Sequence, residues 1–123
     1  MNYVLARSQY AQSQQAQVSD LSDPHEIVLI TMQELRKALS AIAHSPKRNA
    51  TNSRYYTKAY TAIYILQSSL DFERGGEIAT NLFQLYEYFR QQLSRALSGQ
   101  SDQRLDQCVM LLDEIIEAWA GMS

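Results

Sequence analysis

The stretch Ser69-Leu70-Asp71-Phe72-Glu73-Arg74-Gly75-Gly76-Glu77-Ile78-Ala79-Thr80-Asn81-Leu82-Phe83-Gln84-Leu85-Tyr86-Glu87-Tyr88 ends one helical pattern and begins another. Leu66 and Leu70 close an apolar stripe, and Ile78, Leu82, Leu85 and Phe89 open the next. Between them, Gly75 and Gly76 tolerate positive φ, the conformation that a tight reversal needs. This reads as a helical hairpin, with the chain turning between Phe72 and Gly76.

The same spacing extends outward in both directions. Val28, Met32, Leu35, Leu39 and Ile42 recur at steps of four and three residues, as do Tyr56, Ala59, Ile63, Leu66 and Leu70. After the hairpin come Ile78, Leu82, Leu85, Phe89, Leu93 and Ala96, and then Leu105, Cys108 with Val109, Leu112, Ile116 and Trp119. These are helix periods, not strand periods. Both prolines and all four glycines fall where a stripe starts or stops: Pro24, Pro46, Gly75, Gly76, Gly99 and Gly121. Asp23-Pro24-His25-Glu26 combines an N-cap, a first-turn proline and an acidic first turn, so the first long helix begins there. Connections around Pro46 to Asn49, Phe72 to Gly76 and Ser98 to Ser101 are short enough to favour antiparallel neighbours. The reading is an all-α, antiparallel up-down-up-down four-helix bundle over residues 23–122, with helices near 23–45, 50–71, 76–98 and 102–121. Residues 1–22 form a glutamine-rich leader, a helical or extended cap segment with apolar marks at Tyr3, Val4, Leu5, Tyr10, Val18 and Leu21.

Composition excludes several function classes. The chain of 123 residues carries 11 basic and 13 acidic side chains, net −2, with the basic groups dispersed, so no phosphate-tracking stripe and no nucleic-acid partner is indicated. No apolar run, Ile27 to Ile30 included, approaches the roughly 20 residues that cross a bilayer. Met1 to Tyr10 hold one basic group, Arg7, and no sustained apolar segment, which does not read as a signal peptide. With the single cysteine, this suggests a reducing cytoplasm. No cofactor is expected. Neither His25 nor His44 has a glutamate three residues before it, so the Glu-x-x-His pairing of di-metal bundles is missing. His25 reads as a capping or surface group and His44 as a partner of the helix dipole. Cys108 lies on a core stripe without a histidine at helical spacing, a small hydrophobe rather than a nucleophile. Gly75-Gly76 has neither a preceding strand nor a following Lys-Ser/Thr pair, so it is no phosphate loop. No enzyme is indicated.

Apolar surplus points instead to binding. Projected at 100° per residue, Leu29, Ile30, Tyr64, Ile65, Phe83, Tyr88, Met110 and Leu111 fall outside their stripes. Short bundles often have broad stripes, and tyrosine tolerates partial exposure, so packing explains part of this. The alternative is a groove that receives an apolar helix from a partner. Tyrosine suits such a face because its polar tip keeps an empty groove soluble. The candidate contact residues are Tyr60, Tyr64, Ile65, Phe83, Tyr86 and Tyr88, together with Tyr10, Val18 and Leu21 of the leader.

The hairpin also resembles the flagellin export chaperone family, which carries a Ser-Leu-Asp run, then Gly-Gly-Glu-Ile-Ala, Asn-Leu and Leu-Tyr-x-Tyr, as at Ser69-Leu70-Asp71, Gly75 to Ala79, Asn81-Leu82 and Leu85-Tyr86 with Tyr88. Asp23-Pro24-His25-Glu26-Ile27-Val28 is similar to the family's start of its first long helix, and Trp119 falls where the family closes its last. The resemblance covers about Tyr10 to Trp119. It departs where Glu34 replaces a glycine in the first helix and where Tyr10 and Val18 stand eight positions apart, which suggests a divergent member. The resemblance implies a cytoplasmic chaperone that holds the C-terminal segment of newly made flagellin, prevents premature polymerisation and delivers the subunit to the flagellar export apparatus. The alternative is a regulatory bundle that sequesters another small protein, such as an anti-sigma factor. A homodimer of the client-free protein stays open, since an empty apolar groove invites self-association.

Overall fold

The structure is a computed structural model that describes residues 23–45 and 52–122. The leader residues Tyr10, Val18 and Leu21 and the turn at Pro46 to Asn49 lie outside these. Four helices follow in order: α1 (Pro24–His44), α2 (Ser53–Ser68), α3 (Phe72–Leu97) and α4 (Leu105–Ala120). Each packs against its neighbours in the chain, and α1 also packs against α4, which closes the ring of a four-helix bundle. Tyr60 of α2 meets Ser94 of α3, and Gln67 meets Glu87, so the two helices run in opposite directions.

Local chemistry sets the ends of these helices. The Asp23 carboxylate accepts from the His25 amide at 3.0 Å, Pro24 occupies the first turn, and Glu26 faces the positive end of the helix dipole. At the other end of α1, the His44 Nδ1–H donates to the Ser40 carbonyl at 2.7 Å. Asn52 is buried before α2 and donates to the Ser45 carbonyl, which ties the end of α1 to the start of α2. α3 ends in a Schellman motif: Gly99 has φ +77, its amide donates to Ala96, and the Gln100 amide reaches back to Arg95 at 2.9 Å. The buried Gln92 side chain then accepts from the Arg104 amide, and Gln103 accepts from the Leu105 amide, so the start of α4 needs no hydroxyl or carboxylate cap.

The hairpin differs from the expectation in one respect. The reversal occupies Ser69 to Asp71, and Phe72 to Gly75 already form a helical turn that continues into α3 across a kink at Gly76. The cause is Asp71, whose carboxylate caps the Arg74 amide at 3.1 Å and starts the helix one turn early. Gly75 allows close approach, since a Cβ there would stand 2.8 Å from the Ala79 Cβ. Gly76 supplies the bend itself, with φ 50 and ψ −122, a region that side chains other than hydrogen disfavour. Gly76→Ala is expected to cost about 1–3 kcal/mol in urea unfolding.

The interior follows the stripes closely. Met32, Leu35, Leu39 and Ile42 of α1, Tyr56, Ala59, Ile63 and Leu66 of α2, Phe89, Leu93 and Ala96 of α3, and Leu105, Cys108 and Leu112 of α4 form one buried cluster. Buried Thr31 satisfies its hydroxyl by donating to the Ile27 carbonyl at 2.7 Å. Ile78 is the exception among the stripe residues: it is 71% exposed, because the first turns of α3 after the kink bury only Ala79.

Candidate functional site

Apart from Met122 beyond the last helix, the exposed large apolar side chains among the described residues fall into two groups. One lies on the α2/α3 hairpin and comprises Tyr64, Phe72, Ile78 and Phe83. The bend at Gly76 lets Phe72 fold back onto Phe83, with ring centroids 6.1 Å apart and a 57° tilt. The Gln67 amide group ties the helices together there, donating to the Phe83 carbonyl at 3.3 Å and to Glu87 at 3.0 Å. The second group, Met110 and Leu111, faces outward from α4.

The residues expected to contact a client divide sharply. Tyr64 and Phe83 stand exposed on the same hairpin. Tyr60 is half-buried, and its hydroxyl shares a 2.8 Å hydrogen bond with Ser94, which joins α2 to α3. Tyr88 is half-buried against the core, 6.4 Å from Phe89. Tyr86 is 2% exposed, tilted against Phe89 at 6.3 Å, and burial pushes its phenol up to about 12. Ile65 is also only 2% exposed, which corrects its placement outside the stripe. Flanked by α1 and α3, α2 buries Tyr56, Ala59, Ala62, Ile63, Ile65 and Leu66, an arc of about half its circumference, and Ile65 sits on the edge of that arc. Phe72 and Ile78 were not foreseen as exposed. By sequence Phe72 falls in the expected turn, and the heptad spacing of Ile78 matches that of a core residue.

A contact across the ends of α1 and α4 was also invisible in the sequence. The His25 and Trp119 rings stack at 4.9 Å with 10° between planes. The Trp119 Nε1–H donates to the His25 carbonyl at 2.9 Å, and the His25 Nε2–H donates to the Trp119 carbonyl at 2.8 Å. His25 thus locks the first helix to the last; its 94-residue separation from Trp119 leaves no local signal.

Electrostatics around the hairpin is local. Arg90 donates to Glu87 at 2.7 and 2.9 Å, and this pair, helped by Gln67, lowers the Glu87 carboxyl to about 2. In the unfolded chain Glu87 takes up its proton near 4.5, so between about 4.5 and about 2 the unfolded state binds more protons than the folded one. The stability contributed by Glu87 is therefore present above that window and is lost as pH falls through it. Glu87→Gln should flatten this part of the acid limb when unfolding free energy is measured against pH.

Nothing in the described residues is set for catalysis. Burial, with a smaller contribution from Asp106, pushes the Cys108 thiol up to about 12, so it stays protonated inside the core. Among the described residues no group of three or more His, Cys, Asp or Glu is placed to hold a metal ion. No helix among them is long and apolar enough to cross a membrane.

Comparison with known proteins agrees with this geometry. The family model described as flagellar protein FliS matches residues 6–123. The chain is 36% identical over 121 residues to the flagellar secretion chaperone FliSB of Pseudomonas aeruginosa, covering 96% of this chain and 95% of the relative. It is 33% identical over 100 residues to flagellar secretion chaperone FliS of Vibrio cholerae, covering 80% and 74%. With flagellar secretion chaperone FliS of Campylobacter jejuni the identity is 27% over 117 residues, covering 94% and 88%. No solved structure matches the chain. This helical bundle, matched along nearly its whole length by the family model and by flagellar secretion chaperones, belongs to the flagellar protein FliS family, which is a family of export chaperones and not of enzymes.

Proposed function

We propose that this protein binds the C-terminal segment of newly made flagellin in the cytoplasm, keeps it from polymerising prematurely and delivers it to the flagellar export apparatus. The observation that carries this reading is the exposure of Tyr64, Phe72, Ile78 and Phe83 on one hairpin of a chain in a chaperone family. Such side chains suit an amphipathic client helix, whose apolar face would cover them. Tyr60 and Tyr88 are half-buried on the same hairpin, and Ile65 and Tyr86 are buried within it. The leader residues Tyr10, Val18 and Leu21 would cover apolar surface in the free protein and yield it to client, lowering apparent affinity by their own docking energy.

Titration calorimetry with a flagellin C-terminal peptide tests the assignment. Phe83→Ser with Ile78→Ser should weaken binding by roughly 30-fold or more, the scale of a lost hot spot of about 2 kcal/mol, with little change in melting temperature. Unchanged affinity would remove this face from the client site.

A further inference from the structure

The outward face of α4 offers a second docking surface, separate from the hairpin. Met110 is 68% exposed and, with Leu111, Gln107, Asp113 and Glu114, forms the α4 side of an open groove of about 490 Å³. A flexible thioether on the wall of a groove adapts to a partner's apolar side chain. Helical spacing then places Asp106, Asp113, Glu114 and Glu117 four residues before and three, four and seven after Met110, so all four carboxylates surround it on one side of the helix. All four are exposed, and the 16 residues of α4 contain no Lys or Arg. Asp113 is met at 2.6 Å by Arg36 of α1, whereas Asp106, Glu114 and Glu117 form no ion pair with any described residue.

We infer that this groove docks a cationic amphipathic helix of a partner protein, with a large aliphatic side chain over Met110 and lysines or arginines against the carboxylates. Charge complementarity selects this occupant. A second copy would bring the same acidic face against itself, and residues 1–22 hold one arginine, Arg7, balanced by one acid, Asp20. The apolar centre supplies contact area, while the carboxylate frame sets orientation and speeds encounter.

The probe is a synthetic Leu/Lys amphipathic peptide, titrated by fluorescence anisotropy into the full chain, with a Leu/Glu peptide of the same apolar pattern as control. The wild type should bind the Leu/Lys peptide only, with affinity falling as salt rises. The triple variant Asp106→Asn, Glu114→Gln, Glu117→Gln should lose at least about tenfold. The charge-matched variant Asp71→Asn, Glu73→Gln, Glu77→Gln should stay within about twofold, and Met110→Ser should weaken binding even in high salt, where charge is screened. Equal losses in the two triple variants would reduce the effect to net charge and overturn the proposal. So would binding of the Leu/Glu peptide, or self-association of the wild type that the first triple variant alters. A flagellin C-terminal peptide whose own affinity falls in the first triple variant would assign the groove to the client and overturn a separate partner. The Leu/Lys and Leu/Glu titrations are repeated in the Phe83→Ser, Ile78→Ser background, and only peptide binding that persists there counts for or against the α4 groove.

Discussion

Ile65→Asp is expected to destabilise the folded bundle by at least about 4 kcal/mol, a large part of the roughly 5–15 kcal/mol that holds a domain together. Two penalties combine. Removing the buried aliphatic side chain leaves unfilled volume on the α2 face, which alone costs about 2–5 kcal/mol for a large-to-small change. A carboxylate in its place loses hydration, and no buried cation stands among the described residues to pair with it. On the sequence alone this residue lay outside the stripe, and the same substitution would have damaged client binding while sparing the fold. Its 2% exposure reverses that order of effects. Urea unfolding checks it, with Ile65→Val as the volume control at about 0.5–1.5 kcal/mol. An Ile65→Asp protein that melts like the wild type would return Ile65 to the surface and to the client face.

Phe89→Ala should cost about 3–5 kcal/mol and lower the Tm by more than about 10 °C. Phe89 is fully buried in α3, where Tyr86 and Tyr88 approach it from 6.3 and 6.4 Å and all four helices contribute to the surrounding cluster. No surface loop can collapse into the space, so the void persists and the dispersion contacts of a whole ring are lost. Titration with the flagellin peptide well below the new Tm should still show binding, weakened only through the unfolded fraction. Phe83→Ser, six residues earlier on the same helix, should give the opposite pattern: a nearly unchanged melt and weaker binding. If the two variants lose stability alike, Phe83 is a packing residue and the hairpin has no open face.

The contrast between Phe83 and Ile65 shows how far the sequence reached. Both fall off the stripes by angle, yet one is exposed and the other buried. An angle on a helical projection describes one helix in isolation, whereas burial depends on how many neighbours flank it. α2 lies between α1 and α3 and buries a wide arc that absorbs Ile65. Tyr86 shows the same limit, since an aromatic side chain with a polar tip is compatible with either location until its neighbours are known. Ile78 fails in the opposite direction: it keeps the heptad spacing, but the kink at Gly76 leaves it beyond the packed part of α3.

Four helices, their approximate ends and most of the buried cluster were determined by local information. Apolar spacing at three and four residues, the Asp23 cap with Pro24, and the Gly99 terminus each act within a few residues of chain, so they are written in order along it. The exposure of Phe72 and Ile78, the burial of Ile65 and the stacking of His25 on Trp119 were decided by the tertiary structure alone. Each depends on which helix faces which and at what height, and that arrangement minimises exposed apolar area over the whole chain rather than over any one segment.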